Sequence, residues 1–134
     1  MMMDVNWVAI LISAVAAMVL GFVWFGPMLL GKQWMKEAGV TEAQAKKANG
    51  TTMYVLMFVA AVVEAYVLSI VLGLMGTLTL MSAATGAFWV WLGFIAATMV
   101  GSVLAEGKSW TYFAIVAGYQ LVLVVIMSAI IVSL

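Results

Sequence analysis

Cysteine and histidine are both absent from this chain of 134 residues. Without cysteine there is no disulfide, no thiolate nucleophile and no thiolate metal ligand. Without histidine the chain lacks the commonest metal ligand and the usual general base near neutral pH. Charged residues make up only 7% of the chain, and the net charge of zero gives no electrostatic reason to bind nucleic acid. We therefore expect a protein that is not an enzyme and has no cofactor, no metal site and no nucleic-acid partner.

Apolar residues dominate instead: 68% of the chain is hydrophobic, and the mean hydropathy is +1.27. A soluble domain has about 45–50% apolar and about 25% charged residues, so this composition indicates an integral membrane protein. Four apolar runs are long enough to cross a bilayer as helices. The sequence predicts an all-α fold in which residues 1–134 form one bundle of four transmembrane helices. The predicted spans are residues 7–27, 54–76, 83–105 and 110–133.

Local signals define several helix ends. Asp4 or Asn6 is expected to cap the first span and Ser109 the fourth, because such side chains accept from free backbone N–H groups. The pair Gly26-Pro27 is expected to end or kink the first span. The chain opens without a positively charged segment, so we interpret the first apolar run as a retained span and not as a cleaved signal peptide.

Residues 28–50 form the only long polar stretch. Met28–Ala38 has the pattern of a short amphipathic helix, with Gly39 placed to end it. The segment Thr41–Gln44 has the capping-box pattern, which predicts the start of a second short helix that ends at Asn49-Gly50.

The lysines indicate the orientation in the membrane. All five lie in the first and third connections between spans: Lys32, Lys36, Lys46, Lys47 and Lys108. The positive-inside rule then places both of these connections in the cytoplasm and both termini outside, in a bacterial inner membrane. A dual-topology protein needs a weak lysine bias between the two sides, so this distribution argues against one. Alternatively, the four lysines of the first connection form a specific anion-binding site instead of an orientation signal.

Three spans carry small residues at every fourth position, and such rows let helices approach closely in lipid. The rows are Ala9, Ser13, Ala17 and Gly21; Ala61, Ala65, Ser69 and Gly73; and Gly93, Ala97, Gly101 and Ala105. One interpretation is packing within a single bundle. The other is that one row contacts a neighbouring copy or another membrane protein, and both can hold together.

The acid Glu64 lies near the middle of the second span. A central acidic residue costs about 2.5–3.5 kcal/mol in membrane insertion, and no Lys or Arg lies within any span to neutralise it. Counting residues from the expected cytoplasmic ends of the spans places Gln120 at a depth similar to that of Glu64, which makes it the first candidate partner. Tyr119 and Ser13 are the next candidates. We expect a neutral carboxyl near these groups. Three roles remain open: helix–helix hydrogen bonding, a proton or cation site, and contact with a lipid or small ligand.

Aromatic residues within the spans have two interpretations. Trp89 and Trp91 lie deeper than the usual interfacial belt, so they fill the bundle or face lipid. Alternatively, with Tyr66 and Tyr119, they line a cavity for an organic cation through cation–π attraction.

Several short motifs are similar to a bacterial domain-of-unknown-function family, number seventeen sixty-one. They are Asn6-Trp7-Val8-Ala9-Ile10, Trp24-Phe25-Gly26-Pro27, Gly31-Lys32-Gln33-Trp34, Trp91-Leu92-Gly93-Phe94, Glu106-Gly107-Lys108 and Gly118-Tyr119. The resemblance covers nearly the whole chain. It implies a small bacterial membrane protein with four spans, and it implies no activity. Glu64 is not part of these motifs.

A weaker, architectural resemblance is to the small multidrug transporters, which also have four short spans and one membrane carboxylate. Their carboxylate lies in the first span, where this chain has none. Two functions follow as hypotheses. One is an oligomeric transporter or channel for a small solute, linked to a proton or cation through Glu64. The other is a structural or assembly protein in which Glu64 only joins helices.

Overall fold

The computed structural model describes residues 5–26, 29–41, 43–44, 47, 50–77 and 79–134. The described helices are α1 (Trp7–Trp24), α2 (Gly31–Ala38), α3 (Thr51–Leu74), α4 (Leu80–Glu106) and α5 (Trp110–Ser133). Four of them, α1, α3, α4 and α5, are long and apolar enough to cross a membrane. Over the described residues the predicted all-α fold with four such helices is therefore confirmed, and these helices suit a multi-pass membrane protein.

Two of the predicted helix caps are present. Asn6 accepts a hydrogen bond from the backbone N–H of Ala9 at 3.2 Å, at the start of α1. Ser109 accepts from the N–H of Tyr112 at 3.0 Å, at the start of α5. Asp4, the alternative cap of α1, lies outside the described residues. Each cap satisfies one N–H that has no partner within its own helix.

Other helix ends differ from the predicted spans by a few residues. The helix α1 ends at Trp24, before Gly26, and Pro27 lies outside the described residues. The helix α3 begins at Thr51, three residues before the expected start of the second span. The helix α4 begins at Leu80, before the expected start of the third span at residue 83, because Thr79 and Ser82 form a capping box in which each side chain accepts from the other's backbone N–H.

The polar connection between α1 and α3 contains the amphipathic helix α2, which is confirmed. It ends at Gly39, whose φ of 75° is left-handed as expected for a residue that terminates a helix. Thr41 and Gln44 make the reciprocal hydrogen bonds of the predicted capping box, at 2.9 and 3.1 Å. The predicted end of the second short helix at Asn49 lies outside the described residues.

The C-terminal end of α2 is hydrogen-bonded to the turn between α4 and α5. Lys108 Nζ donates to the backbone oxygen of Ala38 at 3.2 Å, where the helix dipole favours a cation. The hydroxyl of Ser109 donates to the carboxylate of Glu37 while it also caps α5. These contacts hold the two lysine-bearing connections together at one end of the bundle.

The helix α5 lies at the centre of the bundle and packs against α1 and α4, while α1 also packs against α3. Trp7 stacks on Tyr66 and Phe22 on Tyr54, both with ring centroids 5.4 Å apart, so α1 and α3 run antiparallel. The helices α3 and α4 pack less closely against each other than either does against its main partner. A cleft is therefore left between α3 and α4, with α5 behind it.

The small-residue rows divide into two groups. In the first row Ala9, Ser13 and Ala17 are buried, and in the second Ala61 and Ala65 are buried. These residues pack inside the bundle. The third row faces outward: Gly93, Ala97, Gly101 and Ala105 are all exposed. A Cβ built on either glycine of that row would meet no atom within 4 Å.

Candidate proton and cation site at Glu64

The side chain of Glu64 lies half-buried on α3, at the cleft between α3 and α4. It lines a pocket of about 140 Å³ whose remaining walls are aliphatic. The lining residues are Glu64, Val67, Leu68 and Val71 of α3, Val90 and Ile95 of α4, and Val124 of α5. Glu64 is the only one of them with a polar side chain, and the surface that faces the pocket is almost wholly apolar.

A π-helical segment, Trp91–Ala96, shapes the α4 wall of this pocket. Val90 and Ile95 are five residues apart, and in an α-helix such residues point in directions about 140° apart. A π-helical turn has an i→i+5 hydrogen-bond repeat and brings them to one face. Short π-helical segments occur frequently at functional sites. The wider turn is therefore what places both side chains beside Glu64.

The predicted partners of Glu64 are not hydrogen-bonded to it. The hydroxyl of Tyr119 donates instead to the backbone oxygen of Ala17 at 3.2 Å, although it lies within electrostatic range of the Glu64 carboxyl. Gln120 is partly buried on α5, and no hydrogen bond joins it to Glu64 in the described structure. Among the described residues, Glu64 therefore has neither a hydrogen-bond partner nor a countercharge.

The depth of Glu64 relative to Gln120 differs from the predicted one because α3 begins earlier than expected. Glu64 is 13 residues beyond Thr51, the start of α3, and the residue 13 beyond Trp110 in α5 is Leu123. The depth estimated from the sequence took Tyr54 as the start of the span and so placed Glu64 three residues too close to the helix end. Val124 lines the same pocket as Glu64, and Gln120 lies about one helical turn before Val124.

Ser13 occupies a different environment from the one expected. It is 0% exposed, within the α1 row that packs into the bundle, and its Oγ has no hydrogen-bond partner among the described residues. A serine in a helix commonly satisfies its hydroxyl on the carbonyl four residues earlier. Ser13 does not, so its hydroxyl is an unsatisfied polar group inside an apolar core.

The four aromatic residues considered for a cation cavity do not converge on one site. Tyr66 stacks on Trp7, and Tyr119 packs with its ring centroid 5.1 Å from that of Phe25. Trp91 lies inside the bundle, where its Nε1 donates to the backbone oxygen of Ala117 at 2.8 Å. Trp89 is 58% exposed on the outer surface. The packing interpretation therefore describes these residues, and none of them lines the Glu64 pocket.

A larger cleft of about 240 Å³ lies near the ends of α3 and α5. It is lined by Ser69, Leu72, Gly73, Thr77, Ile131 and Val132, none of which titrates. Across the described part of the chain there is no group of three or more His, Cys, Asp or Glu side chains that would hold a metal ion. Of these two cavities, the Glu64 pocket is the one with an ionisable residue among its lining residues.

The sequence does not reveal the pocket walls, because Val, Leu and Ile carry no signal of the face on which they lie. It does not reveal the π-helical segment either, since Trp91–Ala96 is apolar like the rest of its span. The one available hint was Gly93, a residue that weakens a regular helix.

Comparisons with known proteins place the chain in a family. A family model described as "Protein of unknown function (DUF1761)" matches residues 8–132. Neither the curated proteins nor the solved structures give a match. The match covers nearly the whole chain, and it confirms the resemblance carried by motifs such as Trp24–Pro27 and Gly31–Trp34. The chain belongs to the DUF1761 family.

Proposed function

We propose that the protein is a non-enzymatic, oligomeric transporter or channel that moves a small solute linked to a proton or cation at Glu64. The observation that carries this proposal is a half-buried acidic side chain within a long apolar helix, with no hydrogen-bond partner among the described residues. Ionisable groups within membrane spans are rare, and they commonly mark ion or proton pathways.

The competing role, in which Glu64 joins helices, requires a hydrogen bond across a helix interface. The two groups best placed for it by sequence, Tyr119 and Gln120, are not bonded to Glu64 in the described structure. A carboxyl without such a partner contributes no hydrogen bond to the packing of the helices. This arrangement supports an exchangeable site over helix attachment.

The proposed location is the bacterial inner membrane, with both termini outside. In this orientation the lysine-bearing connections lie in the cytoplasm. The contacts from Lys108 to Ala38 and from Ser109 to Glu37 join these two connections at one end of the bundle, which supports their being on the same side.

Proton flux through reconstituted protein tests the proposal. Liposomes that contain a pH-sensitive dye are given a defined membrane potential, and internal pH is followed with wild-type protein and with Glu64→Gln. Glutamine keeps the size of the side chain but cannot release a proton. We expect flux with the wild type and its loss in Glu64→Gln.

Glu106→Gln is the matched control, because Glu106 is an exposed carboxylate at the last residue of α4. Its flux should equal that of the wild type. Equal flux in wild type and Glu64→Gln, or flux in neither, would overturn the proposed function.

A second candidate function is assembly with another copy of the chain, which an oligomeric transporter also needs. It is supported by the outward-facing row Gly93, Ala97, Gly101 and Ala105, since rows of small residues allow helices to approach closely in lipid. Most of the first row and half of the second are buried inside the bundle, whereas all four residues of this row are exposed in the described structure.

Bulky substitutions in the row test this assembly. The variants Ala97→Leu and Gly101→Leu should reduce the particle size measured on a native gel or by mass photometry in detergent. Ala60→Leu is the control, because Ala60 is also an exposed small residue, on α3. An unchanged particle size in both row variants would exclude this surface as the contact.

A further inference from the structure

We propose that the lysine-bearing end of the bundle binds the headgroups of anionic phospholipids in the leaflet around it. The binding surface consists of Lys32 and Lys36 on α2 and Lys47 in the segment before α3, and we call it the lysine surface. In the proposed orientation the lipids are those of the cytoplasmic leaflet. Binding here does not depend on transport at Glu64.

The helix α2 lies at the level of the lipid headgroups. With 18 residues, α1 is about 27 Å long, close to the thickness of about 30 Å of a bilayer hydrocarbon core. A tight turn follows it, in which the backbone N–H of Leu30 donates to the oxygen of Trp24 at 3.2 Å and that of Gly31 to the oxygen of Gly26 at 3.0 Å. Because α2 begins directly after this turn, it starts where the hydrocarbon core ends.

The lysines of α2 lie on the side of the helix away from its packed face. Trp34 packs edge-on against Phe25 of the preceding turn, with ring centroids 5.5 Å apart. Lys32 and Lys36 are each two residues from Trp34, which places them about 160° away around the helix. They are four residues apart, so they share one face, and both are exposed. Their long side chains are therefore free to reach the surrounding headgroups.

No carboxylate in the described part of the chain neutralises the lysine surface. Glu37, on α2 itself, accepts a hydrogen bond from the hydroxyl of Ser109. The three lysines form no ion pair with any described residue. Over the whole connection, residues 28–50 contain four lysines and two glutamates, an excess of two positive charges. The surface therefore has positive charge available for an external anion.

Lys108 differs from these three lysines, because its ammonium is already engaged. Its Nζ donates to the backbone oxygen of Ala38 at 3.2 Å and lies 5.4 Å from the centroid of the Tyr112 ring. This lysine joins the two connections, and it is not part of the lysine surface.

A phospholipid suits this surface better than a soluble anion does. The ammonium groups donate charge-assisted hydrogen bonds to phosphate oxygens. Exposed apolar side chains lie at the same end of the bundle: Leu29, just before α2, is 55% exposed, and Trp110, the first residue of α5, is 59% exposed. Tryptophan is enriched at membrane interfaces, where it contacts lipid. Only an amphiphile offers a phosphate to the lysines and acyl chains to Leu29 and Trp110.

Competition between two lipids tests this proposal. Purified protein in a non-ionic detergent is mixed with equal amounts of phosphatidylglycerol and phosphatidylcholine that have the same acyl chains, and the bound lipids are counted by native mass spectrometry. We expect the wild type to prefer phosphatidylglycerol by at least about tenfold. The double variant Lys32→Gln/Lys36→Gln should lower this preference by at least about fivefold, since a single lysine near an anionic surface contributes about that factor.

Two control variants separate charge from other effects of substitution on α2. Lys32→Arg/Lys36→Arg keeps both positive charges and should keep the preference for phosphatidylglycerol. Gln33→Ala changes an exposed, uncharged residue of the same helix and should bind both lipids as the wild type does.

Glycerol 3-phosphate distinguishes a lipid site from a site for a soluble anion, because it carries a phosphate without acyl chains. At the concentration of the lipid it should not displace phosphatidylglycerol. Displacement would indicate a soluble-anion site and overturn the proposal. Equal binding of the two lipids by the wild type, or an unchanged preference in Lys32→Gln/Lys36→Gln, would overturn it as well.

Discussion

Trp91 Nε1 donates a hydrogen bond of 2.8 Å to the backbone oxygen of Ala117, and so joins the π-helical segment of α4 to the central helix α5. Trp24 Nε1 does the same from α1, to the backbone oxygen of Ile115 at 3.0 Å. In a bilayer no water is available to satisfy a buried indole N–H, so these two bonds fix α5 between its neighbours.

Removal of the Trp91 donor should loosen this arrangement. Trp91→Phe keeps an aromatic ring but loses the N–H, and we expect the free energy of unfolding to fall by about 1 kcal/mol. Denaturing-detergent unfolding of purified protein measures it. Trp89→Phe is the control, because Trp89 is 58% exposed and should change stability little. Equal losses in both variants would contradict the proposed role of the Trp91 bond.

The unsatisfied hydroxyl of Ser13 predicts a stabilising substitution. Ser13→Ala removes a buried polar atom that has no partner in the described structure, so stability should rise, by up to about 1 kcal/mol. Ser128 is the matched control, because it is also 0% exposed but donates to the backbone oxygen of Val125 at 2.8 Å. Ser128→Ala should not stabilise the protein. A loss of stability in Ser13→Ala would show that the hydroxyl has a partner.

The turn after α1 requires a glycine at Gly31. A Cβ there would lie 2.2 Å from the backbone oxygen of Phe25 and 2.8 Å from that of Gly26. Gly31→Ala should therefore destabilise the protein by about 1–3 kcal/mol, as overpacking does elsewhere. Gly50→Ala is the control, since a Cβ at Gly50 meets nothing within 4 Å and its φ is −113°. Equal unfolding free energies for the two variants would contradict this account of the turn.

The absence of cysteine makes the proposed orientation directly measurable. Lys47→Cys and Leu134→Cys each introduce a single thiol at an exposed position. In intact cells whose outer membrane has been made permeable, a maleimide that cannot cross the inner membrane should label Leu134→Cys and spare Lys47→Cys until the cells are lysed. The reverse pattern would invert the topology, and labelling of both would indicate mixed orientations.

Features set by a few neighbouring residues were predictable from the sequence. Asn6, Gly39 and Ser109 were assigned their roles at helix ends, and the structure agrees, because capping depends on local hydrogen bonds. The number of long apolar helices followed from run length and composition. Both kinds of inference need no knowledge of how the helices pack.

Features set by packing were not predictable in the same way. The four-residue repeat is equally clear in all three rows, yet Ala9 and Ala61 are buried while Gly101 is exposed. Periodicity identifies a face but not what covers it. The depth that pairs Glu64 with Gln120 is uncertain by sequence for a similar reason, since a three-residue shift in the start of α3 moves every depth counted from it by almost one turn.

Glu64 has no hydrogen-bond partner among the described residues, and the proposed exchange depends most on this. The direct measurement is the unfolding free energy of Glu64→Leu relative to wild type, in the same detergent and lipid mixture. If the carboxyl serves exchange and not packing, replacing it with an apolar side chain in an aliphatic pocket should leave stability equal or higher. A loss of about 1 kcal/mol or more, the size of a strong helix–helix hydrogen bond in a membrane, would contradict the account and support helix attachment instead.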